Sequence, residues 1–297
     1  MLPEQSNLKA VLWMAGAITC FLVMAVAGRE TTEVLNIFQV MEMRSVLGFV
    51  MLLPLVYRAG GLRAMKTAHP FQHLGRNLIH YAGQTAWLYA LTLIPLAQLI
   101  SIEFTTPIWT ALLAVVVLGE RLDAARITAI VLGLIGVTVI VRPGLDGVNP
   151  GHLVVLGAAL AFGISIVMTK SLTRTDSVVR IIFWMLIIQS AAGIIPAIQV
   201  WQTPPASVWP WIFVIAFSGT FSHFCMARAL AHADATVIMP MDFLRVPLAA
   251  LIGWLLYSEQ IDLFTAAGAA LILTGNLLNL PRRRSKAAAE MAVTPMP

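Results

Sequence analysis

The sequence predicts an all-α integral membrane fold, with ten transmembrane helices arranged as two inverted five-helix repeats. Three observations carry this: the composition, the recurrence of long apolar segments, and the one-sided distribution of basic residues between them. Of 297 residues, 59% are hydrophobic and 11% charged, whereas about a quarter of a soluble domain is charged. The Asp, Glu, Lys and Arg residues are too few to cover a water-soluble fold of this length, so the surplus apolar surface faces lipid.

A membrane-spanning helix needs about 20 largely apolar residues. The first such segment, 8–28, ends in Ala25-Val26-Ala27-Gly28, which looks like a signal-peptidase site. Its apolar run is long for a signal peptide and Lys9 is offset by Glu4, so the segment is expected to be retained as the first helix. Segments 36–58, 74–93, 96–118 and 124–142 complete a first half. Segments 152–170, 178–200, 208–228, 235–257 and 262–280 form a second. These divide the chain into a first repeat, 8–142, a second repeat, 152–280, and a basic cytoplasmic tail, 281–297. The runs are continuous, which excludes the alternating strands of a membrane β-barrel. Lipid forbids unpaired backbone groups, so each run is predicted to be helical.

Orientation follows from the basic residues. With the N-terminus in the cytoplasm, fifteen Lys and Arg residues fall on the cytoplasmic side, among them Arg58, Arg63, Lys66, Arg180 and Arg282–Arg284. Only Arg29 and Arg142 fall on the other side, and Arg44 and Arg245 lie within helices. Both termini are therefore placed in the cytoplasm. The net charge of +5 reports topology, and the Arg282–Arg284 run reads as an anchor, with no nucleic-acid partner implied. Cys20 and Cys225 both sit in apolar runs and read as packing residues, with neither a disulfide nor a metal cluster expected.

The halves resemble each other at a constant offset of 139: Ala90 meets Ala229, Glu103 meets Asp242, Phe104 meets Phe243, Glu120 meets Glu259 and Gly136 meets Gly275. Pro107 and Pro247 miss by one position. Five helices per half is an odd number, so the second half is upside down relative to the first. Such inverted repeats suit alternating access around a central site.

The stretch Pro95-Leu96-Ala97, Pro107 and Leu118-Gly119-Glu120-Arg121-Leu122 resembles the signature of the drug/metabolite transporter superfamily, EamA branch. Ala235, Pro240, Gly253-Trp254-Leu255-Leu256 and Glu259 resemble a second copy, which ends in Tyr257-Ser258-Glu259-Gln260 where a Gly-Glu-Arg type ending is usual. The resemblance covers about residues 8–280. It implies two EamA repeats around a substrate cavity, in a family of metabolite exporters and vitamin or cofactor importers. Overall similarity leans toward the bacterial riboflavin and S-adenosylmethionine importers.

Ionisable side chains at membrane depth are costly and mark pathways or structural pairs. Glu103 and Asp242 are expected at mirrored depths, Glu103 in the outer third of its helix and Asp242 in the inner third of its own. Arg245 is three residues beyond Asp242 and shares its helical face. Arg44, with Glu42 nearby, matches Glu103 in depth. Two charged clusters are thus expected, Glu103 with Arg44 and Asp242 with Arg245, each a gate or a binding point. His80, Tyr81, Gln84 and Trp87 on the third helix, with His223 as the repeat mate of Gln84, are candidate cavity-lining groups, and stacking on Trp or Tyr suits a flat ring. Pro107 and Pro247 are expected to kink their helices in mid-span, while Gly133, Gly136, Gly268 and Gly275 are expected to permit close helix approach. Glu120 and Glu259 read as helix-end, loop-orienting acids.

No phosphate-binding Gly-rich loop occurs, nor His-Glu-x-x-His, nor Gly-x-Ser-x-Gly. No catalytic residue, cofactor or metal is expected. The expected function is secondary transport of a small organic metabolite across the inner membrane, best read as uptake of a vitamin or cofactor such as riboflavin. Export of amino acids and import of S-adenosylmethionine are the alternatives. The expected partners are the small-molecule substrate and the bilayer, with the chain a monomer or homodimer.

Overall fold

The computed structural model describes residues 7–118, 124–142, 149–172, 175–232, 241–260 and 262–278. The described helices are α1 (Asn7–Thr32), α2 (Ile37–Arg58), α3 (Pro70–Leu91), α4 (Leu96–Glu103), α5 (Thr106–Leu118), α6 (Ala124–Val141), α7 (Pro150–Leu172), α8 (Val178–Gln199), α9 (Trp209–His232), α10 (Arg245–Tyr257) and α11 (Leu263–Leu278). Among the described residues there is no strand. Helix starts follow local chemistry. The Asn36 side chain accepts the Phe38 N–H at 3.0 Å to cap α2, and Ser177 caps α8 by accepting from Arg180 N–H. Pro70 opens α3, where its missing N–H has no helical partner to lose.

The chain is a multi-pass membrane protein. Helices α1, α2, α7, α8 and α9 each hold a stretch long and apolar enough to cross a bilayer. Their outer faces carry groups such as Val50, Ile195 and Ile198 that stand exposed, as do Leu255 and Leu256 on α10. A water-soluble fold would bury many of these; here they meet lipid. Lipid tails are as apolar as leucine, so helices associate through close packing. Gly136 on α6 and Gly268 on α11 show how close that packing is. A Cβ on Gly136 would sit 2.6 Å from the Gly268 carbonyl oxygen, and one on Gly268 would sit 2.5 Å from the Gly136 oxygen. Gly275 likewise faces the Ala129 carbonyl, and Gly133 faces Ile108. The expected packing role of these four glycines is met.

Helix pairing carries the repeat into three dimensions. The strongest neighbours are α1 with α9, α3 with α7, α2 with α8 and α6 with α11, with α4 also against α10. Exchanging the halves turns α1 into α7 and α9 into α3, so the first pair becomes the second. The α2–α8 and α6–α11 pairs map onto themselves. This is the pattern of two five-span units related by a pseudo-twofold.

One expectation is corrected. Segment 96–118 is not a helix kinked at Pro107; it is two helices separated by a turn at Phe104–Thr105. The matching turn at Phe243–Leu244 precedes α10. Each turn lies ahead of its proline. A proline cannot bond the carbonyl four residues earlier, and its ring clashes with it. For Pro107 that carbonyl belongs to Glu103 and for Pro247 to Phe243, so the chain breaks there and the proline falls in the first turn of the next helix. The orphaned groups find partners. The Thr106 hydroxyl donates to the Glu103 carbonyl at 2.7 Å, and Asn276 of α11 donates to the Phe104 carbonyl at 2.7 Å.

Candidate functional site: a charged tie at the crossing of two broken helices

The breaks bring together what the sequence places far apart. The Arg245 guanidinium donates to Asp242 at 2.8 Å and to Glu103 at 3.1 Å. The Trp87 indole N–H of α3 donates to the second Glu103 oxygen at 2.7 Å. The rings of Phe21 and Phe104 each lie 4.7 Å from the guanidinium carbon, so the cation is held by two carboxylates and two aromatic faces. Arg245 and Asp242 are buried, and Glu103 is partly so. A buried charge of this kind is tolerated only when paired, and removing one partner costs about 3–5 kcal/mol. The Nε of Arg245 and Oδ1 of Asp242 are buried without a hydrogen-bond partner, leaving a donor and an acceptor available at the crossing.

The expected pairing of Glu103 with Arg44 is therefore corrected: Glu103 pairs with Arg245, and the two expected clusters share one guanidinium. The reason lies in the backbone. Both spans break at matching positions and cross there, so residues read as lying at different depths converge. Arg44 instead donates to Gln84 at 2.8 Å and Gln189 at 3.3 Å, and Gln189 meets His80 Nδ1 at 2.9 Å. Beside it, Ser190 of α8 donates to Glu42.

Helix α3 joins the two groups. His80 and Gln84, one helical turn apart, reach Gln189 and Arg44; Trp87, three residues on, reaches Glu103. Tyr81 is buried on the same helix, with its hydroxyl near Gly193 of α8. The predicted residues thus fall in two hydrogen-bonded groups carried by one face of α3, Glu103, Asp242, Arg245 and Trp87 in one and Arg44, Gln84 and His80 in the other, with Tyr81 buried beside the second. The side chain of His223 lies outside the described ones. Sequence reasoning missed Gln189, Ser190, Phe21 and Asn276. Gln189 and Ser190 were visible as a polar pair within the apolar run of α8; Phe21 and Asn276 gave no signal apart from the fold.

Two further networks close the ends of the bundle. At one end, Glu259 pairs with Arg29 and accepts the Leu96 N–H at 2.9 Å. Arg29 also donates to the Leu91 and Ile94 carbonyls, and Arg142 pairs with Asp262. Glu259 thereby ties α1, the start of α4 and the end of α10, which fits a loop-orienting acid; Glu120 lies outside the described residues. At the other end, Asp176, in the turn between α7 and α8, accepts from Thr67 and Arg180 and meets His73 Nε2, each at 2.7 Å. Burial alone would raise the Asp176 carboxyl, but these bonds outweigh it and hold it down at about 2.

Comparison with known proteins fits this architecture. The EamA-like transporter family matches residues 8–142 and 149–280. The S-adenosylmethionine uptake transporter of Rickettsia prowazekii is 28% identical over 92% of both chains. The riboflavin transporter of Rhizobium johnstonii is 33% identical over 81% of this chain and 80% of its own, and that of Brucella anthropi is 32% identical over 78% and 84%. A crystal structure with 17% identity superposes with a TM-score of 0.64, covering 97% of this chain and all of the other, a likeness of fold alone.

Proposed function

The chain belongs to the EamA-like transporter family, and from that premise we propose that it is a secondary carrier importing a vitamin or cofactor, riboflavin first, across a bacterial inner membrane. The observation that carries the site is the Glu103–Arg245–Asp242 tie at the crossing of two broken helices from opposite halves. Interrupted helices at matching positions of inverted repeats are where carriers bind substrate, because broken ends offer unpaired polar groups at mid-membrane. The aromatic groups around the tie, Trp87, Phe21, Phe104 and Phe243, offer faces and edges to a flat ring.

The repeats 8–142 and 152–280 act as two halves that rock about this crossing, with tail 281–297 and both termini in the cytoplasm. The Arg29–Glu259 end then faces outward and closes the external side. The chain works as a monomer or homodimer and catalyses no reaction.

A second reading, import of S-adenosylmethionine, is favoured by charge. Two carboxylates around one guanidinium leave a net negative charge, which suits a sulfonium cation. An amino-acid exporter is the remaining alternative. Uptake into proteoliposomes, with riboflavin tested first, then S-adenosylmethionine, then amino acids, decides among them. Saturable uptake of riboflavin supports the first reading, and no uptake of any of the three removes all of them.

A further inference from the structure

We propose that Glu42 is a proton-binding site that couples substrate movement to proton movement; this rests on the carrier reading. Glu42 is 7% exposed, on α2, within the membrane-spanning bundle. One of its carboxylate oxygens accepts the Ser190 hydroxyl, and the other, Oε2, is buried with no hydrogen-bond partner. Among the described residues no cation lies within ion-pairing distance of it. An ionised carboxylate left this way in low dielectric is strongly disfavoured, whereas among the described residues the other two buried acids each have a cation, Asp242 pairing with Arg245 and Asp176 with Arg180.

The surroundings suit a carboxyl that gains and loses a proton. The Tyr81 hydroxyl, buried and also without a partner, lies 2.8 Å from the point where a Cβ on Gly193 would stand, and Glu42 Oε2 lies 2.8 Å from the same point. Glycine at 193 is what leaves room for both oxygens. With a proton on Oε2, the acid has a hydroxyl nearby to receive it. The titratable and charged groups around Glu42 are Tyr81 and His80 on α3 and Arg44 on its own helix. α8 presents Ser190 and Gln189 at this level, its Arg180 being bound to Asp176 at the far end, and α9 meets α2 through Gly219 and Thr220.

A route links the proton to the substrate crossing. Arg44, two residues from Glu42, is held by the neutral oxygens of Gln84 and Gln189. Loss of the Glu42 proton places an unpaired negative charge on the same helix as this guanidinium, whose hydrogen-bond partners Gln84 and Gln189 are both neutral. Gln84 lies on α3 one turn from Trp87, which holds Glu103. Protonation state and the geometry of the tie are thereby linked: water on one side supplies the proton to Oε2, and the other orientation returns it to water on the opposite side.

Infrared pH titration of the purified protein in lipid tests the site without any substrate. The expected result is a carbonyl stretch of a protonated carboxyl near neutral pH that is absent in Glu42→Gln and moved in frequency and midpoint in Glu42→Asp; spectra that superimpose for wild type and both variants overturn the proposal. In proteoliposomes, counterflow with tritiated riboflavin and with labelled S-adenosylmethionine first identifies which is exchanged. An acid-outside gradient is then expected to drive several-fold accumulation of that compound by wild type and none by Glu42→Gln, which still exchanges. Exchange with no response of wild type to the gradient, or accumulation by Glu42→Gln equal to wild type, overturns the coupling. Absence of exchange by wild type refutes the carrier reading for these compounds, while the infrared titration still decides the proton site.

Discussion

Phe104 and Phe243, 139 positions apart and matched in the repeat, pack edge to face with ring centroids 5.4 Å apart and planes at 79°. They are the residues at which the two spans break. The same side chain from each half thus meets its counterpart at the crossing, and Phe104 also covers the Arg245 guanidinium. Phe104→Ala removes a buried ring, its aromatic partner and one face of the cation site. The expected loss is about 3 kcal/mol, read as a lowered midpoint in thermal unfolding of the detergent-solubilised protein. An unchanged midpoint would show that the ring contact contributes nothing.

The Gly136–Gly268 contact predicts a one-sided steric effect. Each Cα faces the other helix's carbonyl oxygen, and neither oxygen is the end of a flexible side chain. Gly136→Ala therefore forces α6 and α11 apart, at a cost of about 1–3 kcal/mol. Gly157, whose Cβ would meet nothing within 4 Å, is the control: Gly157→Ala is expected to leave the unfolding midpoint unchanged or slightly raised, since alanine is the better helix former.

Asp176 makes stability depend on acid. Its carboxyl is held at about 2 in the folded protein, below the ordinary 3.8. A depressed acid contributes its stability above the unfolded value and loses it as pH falls through the folded one. The contribution, about 2 kcal/mol, is expected in full above about pH 5 and to fall away progressively as pH drops toward and through about 2. Asp176→Asn is expected to lower stability at pH 7 and to flatten the dependence between these limits. Unfolding curves at pH 7, 4 and 2.5 check this.

Glu259 predicts a change in accessibility. It seals Leu96, which is 1% exposed, by accepting its N–H while paired with Arg29. Such charge-assisted bonds are worth about 1.5–3 kcal/mol. Glu259→Gln is expected to raise labelling of Leu96→Cys by a membrane-impermeant maleimide by about tenfold or more. Equal labelling with and without the substitution would mean that this network does not close the bundle.

Much of the fold was legible in the sequence because membrane helices obey one strong rule: each span satisfies its own backbone and presents apolar groups to lipid. That rule located segments 36–58 and 178–200, which became α2 and α8 with nearly unchanged bounds. The repeat offset located the matched pairs, including Phe104 and Phe243. The place of the break is not legible from proline alone, because the carbonyl four residues earlier decides where the helix stops. In the site, Asp242 with Arg245 was legible from helical spacing. Glu103 with Arg245 was not, because the pairing depends on how two broken spans cross. Glu42 with Ser190 joins residues 148 positions apart, and no spacing rule reaches that far.

The central claim is that substrate is handled at the Glu103–Arg245–Asp242 crossing. Counterflow in proteoliposomes with wild type and Asp242→Asn, each shown to be folded, tests it most directly, using tritiated riboflavin and labelled S-adenosylmethionine. Saturable exchange of one of these by wild type and a loss of at least tenfold in the variant are expected. Exchange by Asp242→Asn at the wild-type rate would contradict it.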